Sequence, residues 1–228
     1  MLVIIDKKIP APAKEKLSEY GELIEFESSG ITYGAISGHP DIFLCKIKNS
    51  IASAANTPDN YKKIFYNKNI PVINGCKTVN DTYPQSASYN AVITEKFLIH
   101  RVDITDDSII RNCDILEKIN VGQGYCRCSL VGLNNNFITS DYGIYKTLNE
   151  RELNVLYVQP DDVVLPGYPH GFFGGACGVS EDKFFIIGSL GYFKDGDMVR
   201  GFINTAGFEI VELYDGPLFD GGSIIFLE

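Results

Sequence analysis

The chain has 228 residues, of which 45% are hydrophobic and 21% charged, and a formal net charge of −9. That composition is globular and large enough for one sizeable core, so a single domain spanning 1–228 is expected, and a disordered chain is excluded. The acidic balance, with no Lys/Arg-rich run, argues against nucleic acid and anionic membrane as partners. No window approaches the roughly 18 consecutive apolar residues of a membrane span.

In chain order, LVIID reads as a strand. Its charges follow the apolar run instead of preceding it, unlike a secretory leader. APAKEKLSEYG reads as a helix and LIEFE as a strand. GHPDIFLCKI comes next, read as a strand entered through His39, Pro40 and Asp41. On an extended chain His39 and Asp41, one residue apart, point to the same side. A strand near Ser50 to Ala55, a helix over DNYKKIFYNK and a strand IPVIN follow.

The next group is ASYNAVIT, KFLIH, a helix over DDSIIRNCDILEKI with Asp106 or Asp107 capping its start, and INVGQ. Then come YCRCSLVGL, NFITS, a helix DYGIYKTLNEREL and NVLYVQ. A further group is FFGGACGV, KFFIIGS, a helix DMVRGFINTAG and EIVELY, and the chain ends in FDGGSIIFLE. The unit is strand, strand, helix, strand. Setting Asp41, Asn90, Cys128, Gly175 and Gly222 in register gives spacings of 49, 38, 47 and 47 residues, a period typical of repeat architectures. The last unit stops at Glu228 after its first strand, and the N-terminal strand, helix and strand supply what it lacks. Pairing of the two terminal segments would leave no open edge.

Six cysteines are spread along the chain without a leader, which suits free thiols in a cytosolic protein better than a disulfide framework. Cys126 and Cys128 form a C-x-C without a second pair, so no structural zinc is expected. Neither Gly174-Gly175 nor Gly221-Gly222 makes a phosphate-binding motif, and no cofactor is expected.

Five such units resemble the pentein, or α/β propeller, fold of the guanidino-group-modifying enzymes. The run of GHPDIFLC, QGYCRCS, ITSDYGI, GFFGGACG and DGGSIIFL is similar to an uncharacterised bacterial family of that fold. The resemblance implies an α/β architecture of five repeats around a pseudo-fivefold axis. It also implies a core site in which acidic residues hold a guanidinium, a His moves protons, and a Cys after a Gly-Gly in the last unit attacks carbon. A planar, permanently charged guanidinium suits paired carboxylates, and its poorly electrophilic carbon calls for a thiolate.

Here the H-x-D is His39 and Asp41 in the first unit, and the last unit reads Gly221-Gly222-Ser223, with no Cys after Cys177. The nearest thiols to an axial site are Cys128 and Cys126. In a closed array the starts of the first strands converge. The candidate catalytic residues are therefore His39, Asp41, Cys128 and Cys126, and the candidate ligand-binding residues are Asn90, Asp141 and Asp220. For Asp141 a helix N-cap role is the preferred reading. The expected partner is a small molecule, guanidino- or amide-bearing. Two readings follow: a hydrolase or amidinotransferase acting at a C–N bond, or a non-catalytic binding protein that has lost the family nucleophile.

Overall fold

Each predicted unit folds into its own three-stranded sheet in the computed structural model, which describes residues 1–227; Glu228, the predicted end of the last unit, lies outside them. The first sheet comprises Leu44–Ile47, Ser50–Ser53 and Val72–Asn74. The second comprises Val92–Ile93, Phe97–His100 and Glu117–Asn120. Leu130–Leu133, Asn136–Thr139 and Asn154–Tyr157 form the third, and Cys177–Ser180, Lys183–Ile186 and Glu209–Glu212 the fourth. The fifth joins the two ends of the chain: Ile225–Leu227 pairs antiparallel with Leu2–Asp6, which pairs parallel with Glu22–Phe26.

Every unit repeats that pattern, an antiparallel pair followed by a parallel one. Three of the hairpins turn through a residue at positive φ in the same place: Lys48 (φ 52°), Asn134 (φ 58°) and Glu181 (φ 52°). The parallel partner needs a crossover, supplied by helices Asp59–Asn67, Asp107–Asn112, Tyr142–Asn149, Gly196–Thr205 and, in the fifth unit, Ala11–Ser18. Each buries one face, for example Tyr61 and Phe65, or Val199 and Ile203.

Two sequence expectations change. The helix read over Asp106 to Ile119 stops at Asn112, because Glu117–Asn120 is taken by the parallel ladder with Phe97–His100. Asp106 does cap it. Its carboxylate accepts from the Ser108 amide and also from the amides of Cys76 and Lys77 and the Tyr89 hydroxyl. The repeat register also shifts. The hairpin pairings place Leu44, Ala91, Leu130, Cys177 and Ile224 in equivalent positions, 47, 39, 47 and 47 residues apart. Asp41 is therefore equivalent to Arg127 and Gly174, not to Cys128 and Gly175. A short parallel pair, Val163–Val164 with Leu218–Phe219, was not anticipated. It hands the chain on to Asp220, whose amide donates to the Val164 carbonyl at 2.9 Å.

The core lies between neighbouring sheets. Phe26 packs on Phe43 between the fifth and first units, Phe97 on Phe137 between the second and third, and Phe185 on Phe226 between the fourth and fifth. His100, fully buried, pairs Nδ1 with the Thr105 hydroxyl at 2.7 Å and Nε2 with the Gly124 carbonyl at 2.8 Å. Burial holds it neutral, its pKa lowered to about 4. The unfolded chain takes up this proton near pH 6.5 and the folded one only near 4. Stability contributed by His100 is therefore complete above the unfolded value and is lost as pH falls through that window. The loss is expected to reach about 3 kcal/mol. Denaturant titrations from pH 7 to 4 check it, and His100→Gln should flatten the slope.

Candidate functional site

The residues expected to open the first strands instead form short helical turns before them. Pro40–Phe43 and Cys126–Ser129 are single α-turns; Gln85–Ala87 and Gly174–Ala176 are 3-10 turns. Pro40 explains the first, because proline's fixed φ and missing N–H suit the first helical position. His39 is the N-cap of that turn and Asp41 lies inside it, so the expectation that the two share one side of an extended strand is corrected. They come together with residues from other units through the turns.

Five elements meet at one buried cluster. Asp6 ends its strand, His39 and Asp41 start the first-unit turn, and Asn90 follows the second. Cys128 sits in the third turn, and Asp220 and Ser223 flank Gly221-Gly222. Asp6, His39, Asp41 and Asp220 are each 1% exposed. The Cys128 thiol donates to Asp41 Oδ2 at 3.2 Å, and the Ser223 hydroxyl donates to the same oxygen at 2.6 Å. The Asn90 side-chain amide ties the group together: it donates to the Asp41 carbonyl at 3.1 Å and to Cys128 Sγ at 3.3 Å, and accepts from the Cys128 amide at 3.1 Å. Asp220 accepts from the amides of Phe172 and Gly222 at 2.9 and 3.0 Å.

His39 stands in the middle, with Nε2 3.9 Å from Asp6 Oδ2 and 3.9 Å from Asp220 Oδ1. Among the described residues neither of its ring nitrogens has a hydrogen-bond partner, and neither does Asp41 Oδ1. Ligand atoms of His39, Asp41 and Cys128 lie within 4.8 Å of one another. Glycines admit this crowding: a Cβ on Gly175 would fall 1.9 Å from Asp220 Oδ1, and one on Gly38 2.0 Å from Asp6 Oδ1.

Burial raises the carboxyl pKa values of Asp6 and Asp220, with His39 partly offsetting the effect. The Cys128 thiol is pushed well above its usual value, first by burial and then by Asp41 and Asp220. It is a neutral thiol hydrogen-bonded to a carboxylate, not a thiolate.

Of the residues singled out from sequence, His39, Asp41, Asn90, Cys128 and Asp220 lie together. Cys126, one residue from Arg127 on the same turn, faces an apolar cluster with Val92, Leu130 and Phe137, and burial raises its thiol pKa. Asp141 is the N-cap of Tyr142–Asn149, accepting from the Ile144 amide at 2.8 Å. Asp6 and Ser223 belong to the cluster without having been singled out. Asp6 ends a wholly buried strand, and a carboxylate closing an apolar run was the available signal. Ser223 stands where the resemblance calls for a cysteine.

A cavity of about 1050 Å³ adjoins the cluster. Its walls come from the first strands of all five units, among them Leu44, Val92, Val131, Val179 and Phe226. Asp41 and Arg127 also line it, and Lys48, Glu95 and Asn134 lie toward the hairpin ends. The Arg127 guanidinium is engaged by the Gly174 and Cys177 carbonyls at 2.9 and 3.0 Å.

The sequence profile of a family of unknown function, DUF6873, matches residues 4–225. No curated protein matches the chain. Solved structures similar to it include DDAH from Pseudomonas aeruginosa, a mutant complexed with citrulline, at TM-score 0.52 and 9% identity, covering 92% of this chain and 91% of that one. Agmatine deiminase from C. jejuni matches at TM-score 0.56 and 8% identity, with coverages of 92% and 86%. An amidinotransferase from Microseira wollei, of the saxitoxin biosynthetic pathway, matches at 0.52 and 10%, with coverages of 92% and 87%. At these identities the likeness is one of fold: the chain has the α/β fold of the pentein enzymes.

Proposed function

The chain belongs to DUF6873, a family of unknown function, and from that premise we propose that it binds a small guanidino- or amide-bearing metabolite in an axial pocket. In this reading the five sheets close around a pseudo-fivefold axis. The paired terminal strands and a cavity lined by all five first strands support that arrangement. The observation that carries the ligand class is Asp41. It borders the cavity, is buried, and leaves Oδ1 without a partner, while Asp6 and Asp220 add two further buried carboxyls nearby. A cationic head on Asp41 satisfies that oxygen. Lys48 near the hairpin ends suits an acidic tail.

The neutral state of Cys128 and the serine at position 223 favour binding without thiolate chemistry. The juxtaposition of His39, Asp41 and Cys128 favours a second reading, hydrolysis or transfer at a C–N bond, with His39 carrying protons. Calorimetric titration of arginine and agmatine into chelator-treated protein tests the first reading. Binding is expected, weakened about 10–100-fold by Asp41→Asn through loss of a charge-assisted contact. No binding by any guanidino compound would overturn it. Citrulline, urea or ammonia released at any pH from 5 to 10 would establish the second reading. On the first reading, iodoacetamide labels exposed Cys76 quickly and Cys128 only on unfolding.

A further inference from the structure

Among the described residues Asp41 Oδ1 and both His39 ring nitrogens are buried and unpartnered, and one donor atom each of His39, Asp41 and Cys128 lies within 4.8 Å of the others. An unpaired buried polar atom costs free energy, and such atoms on two neighbouring residues, His39 and Asp41, call for an occupant. A guanidinium, which carries only N–H donors, can satisfy the carboxylate and an acceptor imidazole nitrogen but meets sulfur only as a weak acceptor. A metal ion satisfies nitrogen, oxygen and sulfur together.

We propose that a ring nitrogen of His39, the Asp41 carboxylate and the Cys128 sulfur bind one divalent metal ion of the zinc or cobalt class. Mixed N, O and S donors select borderline transition metals over magnesium or calcium. Donor atoms around tetrahedral zinc stand about 3.3–3.8 Å apart, given bonds of about 2.0–2.3 Å. The sulfur-to-Asp41 edge is already 3.2 Å, and all three donors lie within 4.8 Å of one another, so closure needs movements of about 1 Å. The supporting contacts are also in place. Ser223 donates to the same Asp41 oxygen that Cys128 contacts, leaving Oδ1 open, Asn90 holds Cys128, and Asp6 and Asp220 face His39 Nε2. Outer contacts of this kind orient metal ligands. Binding breaks the Cys128 S–H bond and forms a metal–sulfur bond, and the proton leaves to buffer. Three protein ligands leave a fourth position open, as in sites that hold a reactive water.

The inference rests on the reading of the cluster as a cation site, and Co²⁺ separates the two. Titrated into the full chain after chelation, Co²⁺ is expected to bind 1:1, releasing one proton and giving a near-ultraviolet sulfur-to-cobalt band. Cys128→Ser should remove the band, Cys76→Ser should leave it, and Ser223→Ala should weaken binding about tenfold. Circular dichroism checks that each variant is folded. Absence of 1:1 binding, or a band that survives Cys128→Ser, overturns the metal site. Guanidino binding to the chelated protein would then still stand or fall by itself.

Discussion

Gly222→Ala is expected to lose about 2–5 kcal/mol of stability, the sum of about 1–2 for a left-handed alanine and about 1–3 for overpacking. Gly222 has φ +63°, and a Cβ there would lie 2.2 Å from His39 Cβ and 2.5 Å from His39 Cα. Backbone cannot yield as a side-chain tip can. The same residue donates its amide to Asp220 and accepts from the Asp41 amide, so a shift to relieve the clash disturbs two of the three carboxylates. Gly207 provides the control: it has φ +86°, but nothing lies within 4 Å of a Cβ placed there. Gly207→Ala therefore meets the conformational cost alone, about 1–2 kcal/mol. Thermal unfolding should show a fall of roughly 10 °C for Gly222→Ala, at about 2–4 °C per kcal/mol in a chain this long. Equal falls for the two variants would mean that the loop does not press on His39 as described.

The sheet system was largely legible because periodicity and polar turns report on local structure. LVIID, NFITS and KFFIIGS read as strands, and Leu2–Asp6, Asn136–Thr139 and Lys183–Ile186 are strands. The terminal pairing followed from two incomplete halves, a global constraint visible in one dimension. The turns before the first strands were missed because four residues such as Cys126–Ser129 are too few to show helical spacing, and their neighbours in the ladder read as strand.

That single error moved Asp41 one position in the repeat and made an extended pair of His39 and Asp41. The convergence of His39, Asp41, Asn90, Cys128 and Asp220 does not depend on that error, because a cluster built from five segments depends on which segments converge more than on exposed faces along one of them. Asp6 was hidden for a different reason. It approaches from the second strand of its unit, and a search confined to first strands passes over it. Cys126 and Cys128 were indistinguishable in a C-x-C. On a helical turn they diverge by about 200°, given about 100° per residue, which sends one into the core and leaves the other at the cluster.

Asn90→Ala is expected to cost about 3–4 kcal/mol, because the Asp41 carbonyl and the Cys128 amide lose their partners inside the protein, at about 1–3 kcal/mol each. The backbone contacts of residue 90, from its amide to the Ala87 carbonyl and from the Arg127 amide to its own carbonyl, remain. The loss is therefore assigned to the side chain that bridges the second unit to the first and third. Asn90→Asp separates bonding from shape. Ionised aspartate keeps an acceptor for the Cys128 amide but cannot donate to the Asp41 carbonyl, and it brings a further carboxyl into a cluster that already holds three. Burial among like charges raises a carboxyl pKa. The folded variant therefore holds a proton at pH values where the unfolded chain has released it, and its deficit relative to wild type grows as pH rises. Denaturant midpoints at pH 5 and 8 should show the larger gap at pH 8, while Asn90→Ala shows a gap nearly independent of pH. A pH-independent Asn90→Asp would mean that its side chain reaches water, and the cluster would then be an open rim instead of the sealed crossing of five segments.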